Sequence, residues 1–157
     1  MDIDRNAPVV GSAEIEIAAD AETVWEALTD VQGWPDWNPD VKSVALVGEV
    51  AEGAEFSWKT GSGTITSRFE RLDRPRLAAW TGRVFGIDAI HVWHLEPRNG
   101  GPVVHTEESF GGLLAGLLRR PLRKTLARAL DSGTHALKAE AERRAAERGE
   151  AASRYSP

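Results

Sequence analysis

His91 and Glu108 are the residues of this chain whose types and spacing most directly offer acid–base chemistry. A carboxylate beside an imidazole fixes its tautomer and raises its basicity, which is how a general base is made. Such a pair could deprotonate an activated methylene or assist a dehydration. It could equally orient the polar end of a bound molecule, or the two groups could simply satisfy each other. Ser67 and Thr106 are further polar candidates in strand-like text, and Phe56, Trp58, Phe69, Trp80, Trp93 and Phe110 supply large apolar rings around them. Large aromatics surrounding a few convergent polar groups describe a small-molecule pocket better than a close-packed core. The indoles also offer flat faces on which a ring system could stack. Metal chemistry is not expected. His94 and His105 would oppose each other on an outer face without a third ligand, and His135 lies far along the chain. Gly61-Ser62-Gly63 reads as a hairpin turn rather than a phosphate cradle, and no nucleophile elbow or zinc-protease motif occurs. No cofactor is implied.

These side chains meet only if the stretch from Val41 to Phe110 folds as successive hairpins. Turn signals recur at Gly48, Gly53, Gly61-Ser62-Gly63, Asp73-Arg74-Pro75, Phe85-Gly86 and Asn99-Gly100. In an antiparallel hairpin the facing positions add to a constant and side chains alternate faces. Centring the last four turns sets Trp58 opposite Ile65, Phe69 opposite Trp80, Trp80 opposite His91, Trp93 opposite Thr106, and His91 opposite Glu108. One face then collects the aromatics together with Ser67, His91, Thr106 and Glu108. The other is mainly polar, with Glu55 across from Arg68, although Leu77, Ile90 and Val92 also fall on it.

The flanking text supplies the rest of the fold. Residues up to about Gly11 have no period and read as an arm; Ala13 to Ile17 alternate as a half-buried strand. Asp20 is a good helix cap for a short helix over about 21–29, and Trp34-Pro35-Asp36-Trp37-Asn38-Pro39 allows a helical turn only. After Gly111-Gly112, Leu114, Leu118, Leu122, Leu126 and Leu130 step by four, with Leu137 continuing the stripe. Pro121 suits a first helical turn and divides this run into a short leading turn and a long helix. The expected architecture is α+β: a curved antiparallel sheet of about seven strands wrapped around a long C-terminal helix, with two short helices after the first strand. The domain is expected over 12–146, with an arm at 1–11 and a flexible tail at 147–157.

Composition bounds what the chain can be. It has 157 residues, 41% of them hydrophobic, 24 Asp+Glu against 19 Lys+Arg, and a formal net charge of −5. That length suits one domain with a sizeable core. The acidic balance argues against nucleic acid as a partner, because phosphate binding needs a positive face. With no cysteine there are no disulfides, thiol nucleophiles or Cys-ligated metals, and a cytoplasmic setting is the default expectation. Arg119, Arg120, Arg123, Lys124 and Arg128 make the helix start basic. They could touch an anionic membrane, an acyl-carrier partner or a ligand phosphate, but the ordinary reading is a solvated flank, which argues against membrane contact.

Val24-Trp25-Glu26-Ala27-Leu28-Thr29-Asp30 followed by Trp34 to Pro39 resembles the opening of START-like SRPBCC proteins of the polyketide cyclase/dehydrase type. Ala89 to Pro97 and Val104 to Gly111 resemble later strands of the same family, so the likeness runs over about 12–146. The resemblance implies the helix-grip fold with a deep hydrophobic cavity. On that reading Phe56, Trp58, Ser67, Phe69, Trp80, Trp93, Thr106, Phe110, Leu118, Leu122 and Leu126 line a pocket, and Trp34, Trp37 and Asn38 gate or plug its mouth. The family carries no universal catalytic residue, so activity must be argued from the site. Three readings stand. The first is a binder of a small hydrophobic molecule, aromatic and polyketide-like or lipid-like. The second is a cyclase/dehydratase using His91 and Glu108 as an acid–base pair, and the third is an interaction module with a vestigial cavity. A monomer or homodimer is expected.

Overall fold

The computed structural model describes residues 1–61 and 63–154, with side-chain surroundings up to residue 149. The elements are β1 (Val9–Glu16), α1 (Ala21–Thr29), a 3-10 turn (Val31–Gly33), α2 (Trp34–Trp37) and β2 (Ser43–Leu46). They continue through β3 (Glu55–Thr60), β4 (Gly63–Asp73), β5 (Leu77–Val84), β6 (Ile87–Glu96) and β7 (Val103–Gly111) to α3 (Leu113–Leu117) and α4 (Arg119–Arg154). The strands form one antiparallel sheet in the order β1-β7-β6-β5-β4-β3-β2. Hairpin follows hairpin from β2 to β7, and β1 closes the far edge by pairing with β7. The arrangement is the START-like helix grip, with α4 laid against β1 and across the concave face.

Every facing pair expected from the turn positions occurs: Trp58 with Ile65, Phe69 with Trp80, Trp80 with His91, Trp93 with Thr106, and His91 with Glu108. One irregularity enters between Phe69 and Arg71, where the register shifts and Leu72 comes opposite Ala78. The extra residue is Glu70, whose Oε1 accepts a hydrogen bond from Thr81 Oγ1 at 3.2 Å. A bulge turns the following side chains over, so Leu72 packs against the main core instead of facing out.

The N-terminal segment differs from its expectation as a free arm. Pairing begins at Val9, opposite Phe110, and Val9 is fully buried. Alternation was hard to see because the inward positions run Val9, Gly11, Ala13, Ile15, and the middle two are too small to read as apolar. Gly11 has a packing reason. A Cβ there would lie 3.0 Å from the Leu126 side chain, so its absence lets α4 approach β1. Ahead of β1 the chain straps the outer face of the sheet. Ile3 is buried with Ala79 and Val92, against Leu77 and Ile90. Asp4 N–H donates to Ser109 Oγ at 3.1 Å, and the Arg5 guanidinium donates to both Glu107 oxygens at 3.2 and 3.1 Å. The strap explains why apolar residues occupy that face, and burying Ile3 contributes about 2 kcal/mol.

Asp20 caps α1 as expected, its Oδ1 accepting from Thr23 N at 2.6 Å. The helical run after Gly112 does divide, but at Leu118, between α3 and α4. Of the tail expected at 147–157, residues 155–157 lie outside the described residues, and the part before them is helical. Helix continues to Arg154, Arg143 pairs with Glu147 at 2.5 Å, and Arg148 reaches α1 through Glu26 and, at 2.7 Å, Thr23 Oγ1. Among the described residues no helix is long and apolar enough to cross a membrane.

Candidate functional site

The concave face has two ends of different character. Toward the end covered by α1, α2 and the second half of α4, Phe56, Phe69, Ala78, Trp80, Trp93, Leu95 and Val104 are all buried. Their rings pack on one another: Phe56 to Phe69 at 4.7 Å between centroids, and Trp80 to Trp93 stacked at 6.4 Å. Trp34 is inserted from α2 into this cluster, edge-on to Phe56 and Trp58 at 5.8 and 5.6 Å. Its indole N–H donates to Leu28 C=O at 3.0 Å. Trp34 is therefore part of the buried aromatic cluster. Trp37 is half-buried beside the same core, and Asn38 Oδ1 accepts from Asp40 N–H at 3.0 Å, shaping a turn. At this end the expected pocket residues are core.

Toward the β3–β4 and β5–β6 hairpins the same face is only half-buried at Trp58, Ile65, Gly82, Ala89, His91, Glu108 and Phe110. Here α4 has moved over to the β1 side, where Leu126 and Leu130 pack on Val9 with Phe110, Ala13 and Leu122 alongside. The expected lining by Leu122 and Leu126 becomes packing against the sheet edge, and Leu118 is 42% exposed. Gly82 and Ala89 face each other beneath Ser67 and Ile65, so small residues carpet the region next to the polar pair. Gly82 and Gly11 were missed as contributors. The available signal was an inward position held by glycine opposite a functional side chain, since Gly11 faces Glu108.

His91 and Glu108 sit at the boundary between the two ends. His91 Nδ1 and Glu108 Oε2 are 3.6 Å apart, just beyond direct hydrogen-bond range, with side chains 14% and 16% exposed. His91 Nε2 lies 2.8 Å from Thr106 Oγ1, whose hydroxyl donates to Val92 C=O at 3.2 Å. Because that hydroxyl proton is already committed, Nε2 is the nitrogen that carries hydrogen, and Nδ1 turns its lone pair toward Glu108. Desolvation lowers the His91 pKa from 6.5 to about 3 and raises that of Glu108 from 4.5 to about 8. Near neutral pH the pair is thus an uncharged imidazole facing an uncharged carboxylic acid. Desolvation thus works against the sequence expectation of a carboxylate enhancing a base.

Other polar groups on this face are placed unevenly. Trp58 Nε1 donates to Ser67 Oγ at 3.1 Å, tying β3 to β4. Trp93 Nε1 is buried without a hydrogen-bond partner, while its ring lies 5.1 Å from that of His91. Two grooves, about 770 and 480 Å³, open elsewhere on the surface. The first is lined mainly by charged residues such as Asp36, Glu140 and Arg144 together with Trp37, the second by the loops near Asp20 and Asn99. Neither is lined by His91, Glu108 or the other expected pocket residues except Trp37. No group of side chains suited to a metal ion occurs among the described residues.

Sheet and helix together define a START-like helix-grip fold, and solved structures share it. A hypothetical protein of Helicobacter pylori superposes with a TM-score of 0.78 at 17% identity, covering 88% of this chain and 91% of that one. The ZhuI aromatase/cyclase from Streptomyces sp. R1128 gives 0.73 at 22% identity, covering 86% and 94%. A START superfamily protein from Mycobacterium smegmatis gives 0.71 at 14% identity, covering 85% and 97%. No curated protein sequence matches the chain. The family profile described as "Polyketide cyclase / dehydrase and lipid transport" matches residues 9–142, and the chain belongs to that family.

Proposed function

We propose that the protein binds a small hydrophobic molecule, aromatic and polyketide-like or lipid-like, on the half-buried end of the concave face. The ligand's polar end would sit at His91 and Glu108. The observation that carries this reading is the His91–Glu108 pair, 3.6 Å apart on a half-buried apolar face, which desolvation holds uncharged near neutral pH. A neutral donor and a neutral acceptor side by side suit a carbonyl or hydroxyl far better than a charged headgroup. Titrating polyketides, flavonoids and fatty acids while following tryptophan fluorescence tests it. Saturable quenching by one class, weakened about tenfold or more by His91→Ala, is expected (about 1.4 kcal/mol). A silent response across the whole panel overturns it.

The opposite proton capacities of the two groups favour a second, catalytic reading. With a β-hydroxy carbonyl substrate, His91 Nδ1 removes the proton from the carbon next to the carbonyl. The C–O bond then breaks, and Glu108 delivers its proton to the departing hydroxyl, which leaves as water. A proton passing from the imidazolium back to the Glu108 carboxylate resets the pair. Thr106 is a positioning residue, since it holds Nε2–H and so keeps Nδ1 free. Turnover surviving both His91→Ala and Glu108→Gln would remove this mechanism while leaving binding intact.

A further inference from the structure

The start of α4 is opposite in charge to the rest of the molecule. From Ser109 to Leu130 there is no Asp or Glu, and Arg119, Arg120, Arg123, Lys124 and Arg128 are all exposed. Without these five, the chain carries 14 Lys+Arg against its 24 Asp+Glu. Among the described residues their polar contact is one long hydrogen bond, from Arg123 Nη2 to Pro8 C=O at 3.5 Å. Immediately ahead of them, Leu113 is 90% exposed, Leu117 82% and Leu118 42%. Phe85, 71% exposed, stands on the neighbouring β5–β6 turn with its ring over Gly63. Gly112 has φ +98°, and a Cβ there would lie 2.5 Å from Gly86 C=O, so the beginning of α3 is seated on the turn that carries Phe85. Three exposed leucines thus sit at the foot of a cationic flank, beside the turn that carries Phe85.

We infer that this corner docks on an anionic lipid bilayer, with the leucines and Phe85 entering the headgroup–acyl boundary and the five cations facing lipid phosphates. Apolar side chains exposed to this degree usually mark an interaction site. Flanking cations on a protein that is otherwise acidic select a negative partner. A bilayer is favoured over an acidic protein because the apolar groups project singly from a hairpin tip and a five-residue helix, α3. Lipid accommodates any such projection, whereas a protein must offer a matching pocket for each. The sequence reading took the basic helix start as a solvated flank, which is why membrane contact was not expected there. The inference does not depend on the ligand reading; α3 does border β6 and β7, so the half-buried end of the concave face would lie near the lipid.

Flotation of the full chain with vesicles tests the docking. Vesicles containing about 30 mol% phosphatidylglycerol should bind it, pure phosphatidylcholine should not, and added salt should weaken the binding. Reversing two cations, in Arg119→Glu/Arg120→Glu, should lower partitioning roughly 25-fold or more, at about fivefold per charge. Leu113→Ser/Leu117→Ser, neutral changes at sites open to water and therefore harmless to the fold, should lower it by at least tenfold. Absence of binding to anionic vesicles overturns the inference. So does binding that loses strength with the charge reversals but ignores the leucine changes, because that is what an acidic protein or any polyanion would give.

Discussion

The two ends of the concave face use the same alternating pattern for different purposes. At one end each inward position carries a ring or branched chain, and Trp34 enters from outside to complete the packing. At the other end glycine, alanine and serine occupy positions next to the polar pair, and α4 has withdrawn toward β1. Aromatic content alone therefore does not mark a binding surface. Indoles that touch other indoles serve as core. What marks the open end is small residues beside an imidazole and a carboxyl that stand 3.6 Å apart without a hydrogen bond between them.

The sharpest way to break this contrast is Trp80→Ala. If the ringed end is core, urea unfolding should show a loss of about 4 kcal/mol, the cost of removing a large buried aromatic. A loss under about 1 kcal/mol would mean the ring lines free space. At the open end, Glu108 should govern the pH dependence of stability. Its folded pKa of about 8 lies above the ordinary 4.5, so its contribution is whole below about 4.5 and falls away as pH rises through 8. His91 works in reverse, whole above about 6.5 and lost as pH falls toward 3. The two slopes cancel between roughly 4.5 and 6.5, which makes that window a plateau. Glu108→Gln should remove the alkaline limb, gaining on the order of 2 kcal/mol over the wild type at about pH 8.5 and little at about pH 5.5. Equal stability differences at both pH values would contradict a protonated Glu108. The smallest effect belongs to Ser67→Ala at the border. Loss of the Trp58 hydrogen bond should cost about 1 kcal/mol and shift the Trp58 emission.

Much of this was legible in the amino-acid order. Turn residues at Gly61, Arg74-Pro75, Phe85-Gly86 and Asn99-Gly100 specify hairpins, and hairpins specify who faces whom, so His91 could be placed opposite Glu108 without coordinates. The bulge at Glu70 was not legible, since one extra residue leaves no local signature. Nor was the strap, because Ile3 is a single apolar residue in an otherwise polar segment and its partners Ala79 and Val92 are distant. The leucine stripe showed that a helix exists but not where it lies; Leu126 is buried and Leu118 is exposed although both belong to the same period.

Local chemistry and strand geometry settle most of the pairing, because outside a bulge such as that at Glu70 a side chain's face follows from its distance from the turn. Occupancy and protonation are another matter. Whether a ring fills a space depends on elements arriving from elsewhere, as Trp34 does, and whether a carboxyl keeps its proton depends on how much water the whole fold removes from around it. The primary structure therefore determined the sheet, its register and the meeting of His91 with Glu108. Only the packed molecule decided that the pair is uncharged, since desolvation is a property of every neighbour at once.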